Sequence, residues 1–145
     1  MDVGFTSIPV AIVGGAVVPL RVRGANTTAA LRRADFELVV APALADGRPR
    51  GELYVDDGVS ADPAERTSVG FEYEKGRLDV TGEFGYAVGV DVARVRFAGT
   101  KSAPKTVTLN GRAVDAKMVV FDGSTGVLDV VLGIPFESGF VVELH

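Results

Sequence analysis

Carboxylates form the densest chemically useful cluster in this chain, running Asp56-Asp57-Gly58-Val59-Ser60-Ala61-Asp62, with Glu65 close behind. Two-carboxylate catalysis would need a pair of carboxyl groups facing each other across a cleft. Asp56 and Asp57, as neighbours at a strand end, point to opposite sides and cannot form such a dyad by themselves. A calcium loop could draw on the oxygens of Asp56, Asp57, Ser60, Asp62 and Glu65. Their spacing departs from the EF-hand pattern, however, and Pro63 stiffens the loop where it would have to wrap the ion. The favoured reading is a structural turn at Asp56, Asp57 and Gly58, in which a carboxylate accepts backbone N–H bonds and glycine supplies the positive φ. No catalytic residue and no metal ligand is assigned.

The other candidates are weaker. His145 is the single histidine and the last residue of the sequence, and a chain end rarely buries an imidazole beside an acid as a Ser-His-Asp site requires. Gly14-Gly15 is followed by Ala16-Val17-Val18-Pro19; with no helix start there to receive an anion, it reads as a turn between strands and not as a phosphate loop. Cysteine is absent, which removes thiolate chemistry and disulfides. No cofactor is expected. Sugars are commonly read by exposed aromatic rings with polar neighbours. The chain has no Trp and three Tyr. Tyr54 and Tyr73 fall on expected strands and are expected to pack, whereas Tyr86 lies in a Gly-rich loop and is the candidate carbohydrate contact. Asn26-Thr27-Thr28 is an N-glycosylation acceptor sequence at Asn26, meaningful if the chain passes through a secretory pathway.

The elements that would position these residues are strands. Short apolar or alternating runs bounded by turn residues recur at 8–13, 16–22, 36–43, 51–55, 68–74, 77–81, 92–97, 106–109, 117–121, 127–132 and 140–144, the signature of an all-β sandwich or pair of sandwiches. Asn110-Gly111 and Asp122-Gly123 can each close a tight hairpin; Asp46-Gly47 and Glu74-Lys75-Gly76 are weaker versions of that signal. A helical turn or two is expected after Thr28, with an Asn/Thr cap. The runs at 36–41 and 127–132 are nearly continuously apolar and are expected at sheet centres, while Phe71-Glu72-Tyr73-Glu74 and Val92 to Phe97 alternate as on a sheet with one wet face.

The 145 residues suffice for one substantial core or two small ones. A net charge of -4 gives no basic surface, so nucleic acid is not an expected partner. Pro9, Pro19 and the Gly pair interrupt the longest apolar stretch well short of the ~20 residues a membrane helix needs, so no membrane partner is expected. Met1-Asp2-Val3-Gly4 supplies neither the basic start nor the apolar core of a signal peptide.

Order and spacing add a resemblance. Ile8-Pro9, Gly14-Gly15 and Val18-Pro19 are followed by Asn26-Thr27-Thr28, Arg33 and the apolar run from Phe36 to Pro42. Gly51, Leu53, Tyr54, Asp56, Asp57, Gly58 and Ser60 complete the series, and Pro104 and Val107-Thr108-Leu109-Asn110-Gly111 come later. The series resembles the C-terminal proximal and distal β-domains that follow the catalytic barrel in alpha-glucosidases of glycoside hydrolase family 31. Those proteins carry "IP-x-x-x-RGG-x-x-(I/V)P", "G-x-L-(Y/F)-x-DDG-x-S" and "P-x-x-V-x-(V/L)-NG". Val13 stands where the family usually has Arg before the Gly pair.

The resemblance implies an all-β, antiparallel fold: part of a proximal sandwich over residues 1–58, then a distal β-sandwich domain over 59–145. It implies no glycosidase activity in the chain on its own, because the family's catalytic aspartates lie in the barrel, and a role in supporting that barrel and the rim of its active site. The rival reading is a free-standing lectin-like or regulatory module that binds carbohydrate or protein. The implied partners are the catalytic barrel of a parent enzyme, carbohydrate, and further copies of the chain. Homo-oligomers would form through residues 5–22, whose apolar strands would lack their usual sheet neighbours. The family's frequent secretion favours a secretory location.

Overall fold

The computed structural model describes residues 11–42 and 47–145. Within them the chain is almost entirely β, in two sheets. In chain order the strands are β1 (Val17–Arg21), β2 (Phe36–Val40), β3 (Arg50–Val55), β4 (Thr67–Glu74), β5 (Arg77–Phe84), β6 (Asp91–Phe97), β7 (Val107–Leu109), β8 (Arg112–Ala113), β9 (Val119–Asp122), β10 (Val127–Pro135) and β11 (Phe140–Leu144). The first sheet runs β1-β2-β6-β10-β9 and the second β3-β4-β5-β11-β7-β8. Every pairing is antiparallel except β2 with β6.

One apolar core lies between the sheets. Val17, Leu38, Val95, Phe97, Leu128 and Val130 project into it from the first sheet, and Val55, Val69, Phe71, Leu78, Val80 and Val142 from the second. Each such side chain contributes on the order of 1.5–3 kcal/mol when fully buried. Phe136 closes one end edge-on to Phe36 and Phe84, with ring centroids 5.4 and 5.5 Å away. Beside it the Arg21 guanidinium lies 3.7 Å from the Phe36 ring centroid.

The boundary expected between residues 58 and 59 falls in the connection from β3 to β4, two strands that pair along their length. Both sheets and the core draw on residues from either side of it.

Strand β2 is buried at all five positions. Its apolar residues face the core at Phe36, Leu38 and Val40, and the opposite face carries Glu37 and Val39. Glu37, 8% exposed, takes a 2.6 Å hydrogen bond from Nε of Arg94 and lies 3.8 Å from Arg96, which also bonds Asp129 at 2.8 Å. The run at 127–132 likewise lies inside its sheet, between β6 and β9, but it alternates, leaving Val131 exposed on the outer side.

Several expected boundaries move for local reasons. Residues 11–13 form no strand, and the earlier part of the expected 8–13 strand lies outside the described residues, as do Ala43 of the 36–43 run and Asp46 of the Asp46-Gly47 turn. The run at 117–121 begins as a 3-10 turn over Ala116–Met118, because Asp115 accepts the Lys117 N–H and pulls the chain round before β9 starts at Val119. Asp122-Gly123 is not a two-residue hairpin. The Asp122 carboxylate gathers the Ser124 N–H and the Ser124 and Thr125 hydroxyls, widening the loop so that positive φ falls at Gly126. The short helix α1 (Thr28–Leu31) does start at a Thr cap, Thr27 Oγ1 accepting from the Ala30 N–H.

Asn110 and Gly111 join β7 to β8 with φ of 51° and 76°. Asn110 also receives the Val141 N–H on its side chain and gives its own N–H to the Val141 carbonyl, tying the hairpin to β11. A Cβ on Gly111 would meet nothing within 4 Å, so the cost of Gly111→Val is conformational: about 1 kcal/mol or more, read as a lower denaturant midpoint. The ion pairs predict a second contrast. Arg94→Met strips a buried carboxylate of its closest donor and should cost about 1–3 kcal/mol. Arg77→Met, which breaks the exposed pairs to Asp79 and Glu143, should cost less than about 1 kcal/mol in the same urea titration.

Candidate functional site

The acidic turn is built from its ends inward. Val55, 7% exposed, anchors the last residue of β3 in the core. The chain then leaves the sheet, and each aspartate turns back on its own backbone. Asp56 Oδ1 accepts the Gly58 N–H at 2.8 Å. Asp57 Oδ1 accepts the Val59 and Ser60 N–H groups at 3.0 and 2.9 Å, and its Oδ2 takes the Ser60 hydroxyl at 2.5 Å. Gly58 has φ of 70°, and a Cβ on it would sit 2.5 Å from Nη1 of Arg32.

Arg32 is the residue that sequence reasoning missed. It follows α1 directly, donates to the Asp56 backbone carbonyl, and lies 4.0 Å from the Asp56 carboxylate. Its neighbour Arg33, the arginine of the sequence motif, is exposed. The absent Gly58 side chain and the end of α1 thus let a guanidinium bridge the loop after β1 to the loop after β3. A motif signal for Arg32 was lacking because its partner is a backbone carbonyl, which leaves no trace in residue types.

The electrostatics match a structural turn. Donation from the Ser60 hydroxyl, then from the Val59 and Ser60 backbone, holds the Asp57 carboxyl down at about 2, against an ordinary 3.8. Asp122 is likewise lowered to about 2, by the Ser124 and Thr125 hydroxyls first. Such carboxylates are ionised across the whole range in which a general acid would need its proton. Among the described residues no group of three or more Asp, Glu or His side chains is placed to hold a metal ion.

The remaining sequence candidates are scattered. Asn26 is exposed just ahead of the Thr27 cap. Tyr86 is half-buried against the core, and its backbone carbonyl accepts the Thr67 hydroxyl. Tyr73 packs as expected, 5.4 Å from the Phe97 ring centroid. Tyr54 corrects its expectation: it is 54% exposed. Leu53 and Val55 take the inward positions of β3, so Tyr54 must share the outer face with Glu52. Gly14-Gly15 does form a turn, Gly15 donating its N–H to the Ala41 and Pro42 carbonyls. His145 is exposed, and its backbone carbonyl accepts from Lys105 at 2.6 Å. It borders a cleft of about 550 Å³ lined by Pro42, Tyr73, Phe97, Pro104 and Leu144.

No protein-family profile matches the chain. It is 39% identical over 115 residues to a probable alpha/beta-glucosidase, agdC, of Aspergillus fumigatus, a match covering 79% of this chain and 13% of that protein. It is 38% identical over 109 residues to an alpha-glucosidase of Schizosaccharomyces pombe, covering 75% of this chain and 11% of that one. The chain therefore spans roughly an eighth of the length of these relatives. Among solved structures, the crystal structure of the ER glucosidase II complex, a catalytic subunit with the binding domain of its regulatory subunit, superposes with a TM-score of 0.68 at 18% identity over 91% of this chain and 17% of that one. A family 31 dextranase of Flavobacterium johnsoniae, complexed with glucose, gives 0.59 at 15% identity over 90% and 19%. The resemblance to family 31 alpha-glucosidases that the motifs carry holds at the level of sequence, and the solved neighbours share the fold.

The acidic turn yields a titration. In the folded chain the Asp57 and Asp122 carboxyl resonances should move with midpoints near 2, and Ser60→Ala should raise the Asp57 midpoint toward 3.8 while leaving Asp122 in place. Because both values are depressed on folding, the stability they add is present above the ordinary carboxylate range and is lost as pH falls through about 2. An Asp57 midpoint unmoved by Ser60→Ala would mean that the hydroxyl is not its main donor.

Proposed function

We infer that this chain, related to family 31 alpha-glucosidases, is a non-catalytic accessory β-domain of such a glycoside hydrolase, and that it supports the catalytic barrel and the rim of its active site. The observation that carries this reading is the outer face of the first sheet. Register places Leu20, Glu37, Arg94 and Val131 in one row across four strands, and Val18, Val39, Arg96, Asp129 and Val120 in the next. The charges in the middle cancel in pairs, and the ends are apolar and open: Leu20 is 38% exposed, Val131 42% and Val120 59%. A sheet face with neutralised charges and an apolar border suits burial against another protein surface. On this reading the opposing surface is the barrel. The Arg32-locked turn stiffens one end of the sandwich, so that a loop held to the sheet edge is presented to the barrel in one conformation.

Two elements of the same reading rest on exposure alone. Among the described residues β1 pairs only with β2, the start of its other edge being met by a bridge from Ala16 to Arg50 of β3, and Ile12 and Val13 ahead of it are exposed, so we propose self-association through the remainder of this edge when the barrel is absent. Residues 5–10 of the segment expected to mediate it lie outside the described residues. Asn26 is accessible for glycan transfer on passage through a secretory pathway.

The test is a chimera in which this chain replaces the matching 115 residues of the A. fumigatus relative. Glucosidase activity should persist in the chimera. Val131→Lys with Leu20→Lys should lower it at least tenfold, while the isolated variant keeps the melting temperature of the unaltered chain. The isolated chain should hydrolyse neither maltose nor aryl alpha-glucosides; turnover that Asp57→Asn abolishes would overturn the non-catalytic reading. Retained activity in the double-lysine chimera would remove the sheet face from the interface and favour a free-standing module.

A further inference from the structure

The outer face of the second sheet is divided in two. Register sets Arg50, Glu72 and Asp79 in one row and Glu74, Arg77 and Glu143 in the next. These rows are saturated by their own ion pairs, Arg50 to Glu72 at 3.2 Å and Arg77 to Asp79 and Glu143 at 2.7 and 2.9 Å, with Arg48 bonding Glu72 and Glu74 at 3.2 and 3.1 Å. The two rows beyond them are different. They read Tyr54, Ser68, Glu83 and then Glu52, Gly70, Thr81. Among the described residues, the side chains of Glu52, Ser68, Thr81 and Glu83 make no hydrogen bond or ion pair, and all four are exposed.

Gly70 gives this half its shape. It leaves the middle strand without a side chain between Glu52 and Thr81, and the result is a trough of about 640 Å³ lined by Glu52, Gly70 and Thr81 and, on its far side, by the ion-paired Arg50 and Glu72. Two strand spacings make the trough ~10 Å wide between flanking backbones. Tyr54, exposed, lies in the adjacent row with Ser68 and Glu83, just outside the trough. Trough and adjacent row together offer an apolar plate, two hydroxyls and two unpaired carboxylates beside a bare floor, with the Arg50–Glu72 pair as the far wall.

We propose that this trough binds a neutral oligosaccharide, one pyranose ring lying over Gly70 with its apolar face on Tyr54 and its hydroxyls donating to Glu52 and Glu83 and exchanging hydrogen bonds with Ser68 and Thr81. The ligand class follows from what the groups want. Carboxylates without cationic partners are acceptors seeking donors, and a polyol brings donors without bringing charge. A single small cation cannot serve both, since two strand spacings and a two-residue offset along the strand put Glu52 and Glu83 ~12 Å apart. An aromatic plate beside such acceptors matches a ligand that is apolar on its ring face and polar at its edge. This inference places the carbohydrate contact on Tyr54, not on the half-buried Tyr86. The choice of glucose oligomers as probes rests on the proposed alpha-glucosidase relationship, and the surface lies on the opposite sheet from the one assigned to the barrel.

Amide chemical shifts of the chain, titrated with maltotriose, isomaltotriose and cellotriose, test it. The expected result is a saturating change confined to residues 50–54, 68–72 and 81–83 for at least one trisaccharide, with the ion-paired row of Glu74, Arg77 and Glu143 unmoved. Tyr54→Ala should weaken binding at least tenfold. Gly70→Val fills the trough without crowding the sheet, because the nearest atom to a Cβ there is the Thr81 carbonyl oxygen at 3.9 Å; it should keep the melting temperature and lose binding. No saturating change with any trisaccharide overturns the proposal, as does binding that survives Gly70→Val, shifts centred elsewhere, or a response to a lysine- and arginine-rich peptide but to no sugar. None of these outcomes alters the chimera's activity, so the two readings fail separately.

Discussion

A strand that is dry on both faces sets the terms for the rest of this sandwich. β2 lies between β1 and β6, with the core on one side and, on the other, a layer made by its neighbours' side chains. Placing Glu37 there would be costly without compensation, because an ionised carboxylate removed from water loses several kcal/mol of hydration. Two arginines on β6 supply the compensation, and Asp129 on β10 in turn holds the second of them, its hydrogen bond being the chief cause of an Arg96 pKa raised above the ordinary arginine value. Charge satisfaction therefore propagates across three adjacent strands. It also fixes register: β2 and β6 are parallel, with no hairpin turn to set their alignment, and a shift by one residue would aim Glu37 into the core.

The two outer faces follow different logic. The first sheet pairs its charges with each other and leaves valine and leucine at the border. The second cancels its charges over half its area and leaves the other half with acceptors, hydroxyls and a ring. The ion pairs hold the first sheet in register, but neither its apolar border nor the second sheet's spare acceptors is needed for folding. A surface with spare hydrogen-bonding groups is solvated at little cost, and a neutralised apolar one gains by being covered. The acidic turn, the most conspicuous cluster in the sequence, belongs to neither face. Its carboxylates are consumed in holding their own loop.

Most of the strands were legible because alternation and turn residues are local signals. The Thr-capped helix was legible for the same reason. What was not legible depended on pairing. That residues on both sides of position 58 share sheets cannot be read from a composition shift, since the β2–β6 contact joins segments more than fifty residues apart. The two-residue strand β8 is too short to leave a pattern. Tyr54 was within reach: Glu52 shares its side of the strand by the period of two, and a glutamate turned outward should have carried the tyrosine with it. The parity of that short run went unread because Leu53, Tyr54 and Val55 are all apolar. At Asp122-Gly123, a dipeptide that fits a tight hairpin was overruled by the serine and threonine that follow.

The parallel contact also sets a timetable for synthesis. β1 and β2 can pair as soon as both have left the ribosome, but β2 cannot be covered on its second edge until β6 arrives; Arg94, the closest donor to Glu37, is 57 residues downstream of it. At ~5–20 residues per second that wait lasts several seconds. During it, a short apolar ribbon with an unpaired edge and an uncompensated glutamate is exposed to the cytosol or to the translocation machinery. The same carboxylate that demands two arginines in the finished sheet keeps the unfinished ribbon charged, and a charge on a waiting strand is what discourages it from pairing with a neighbouring nascent chain.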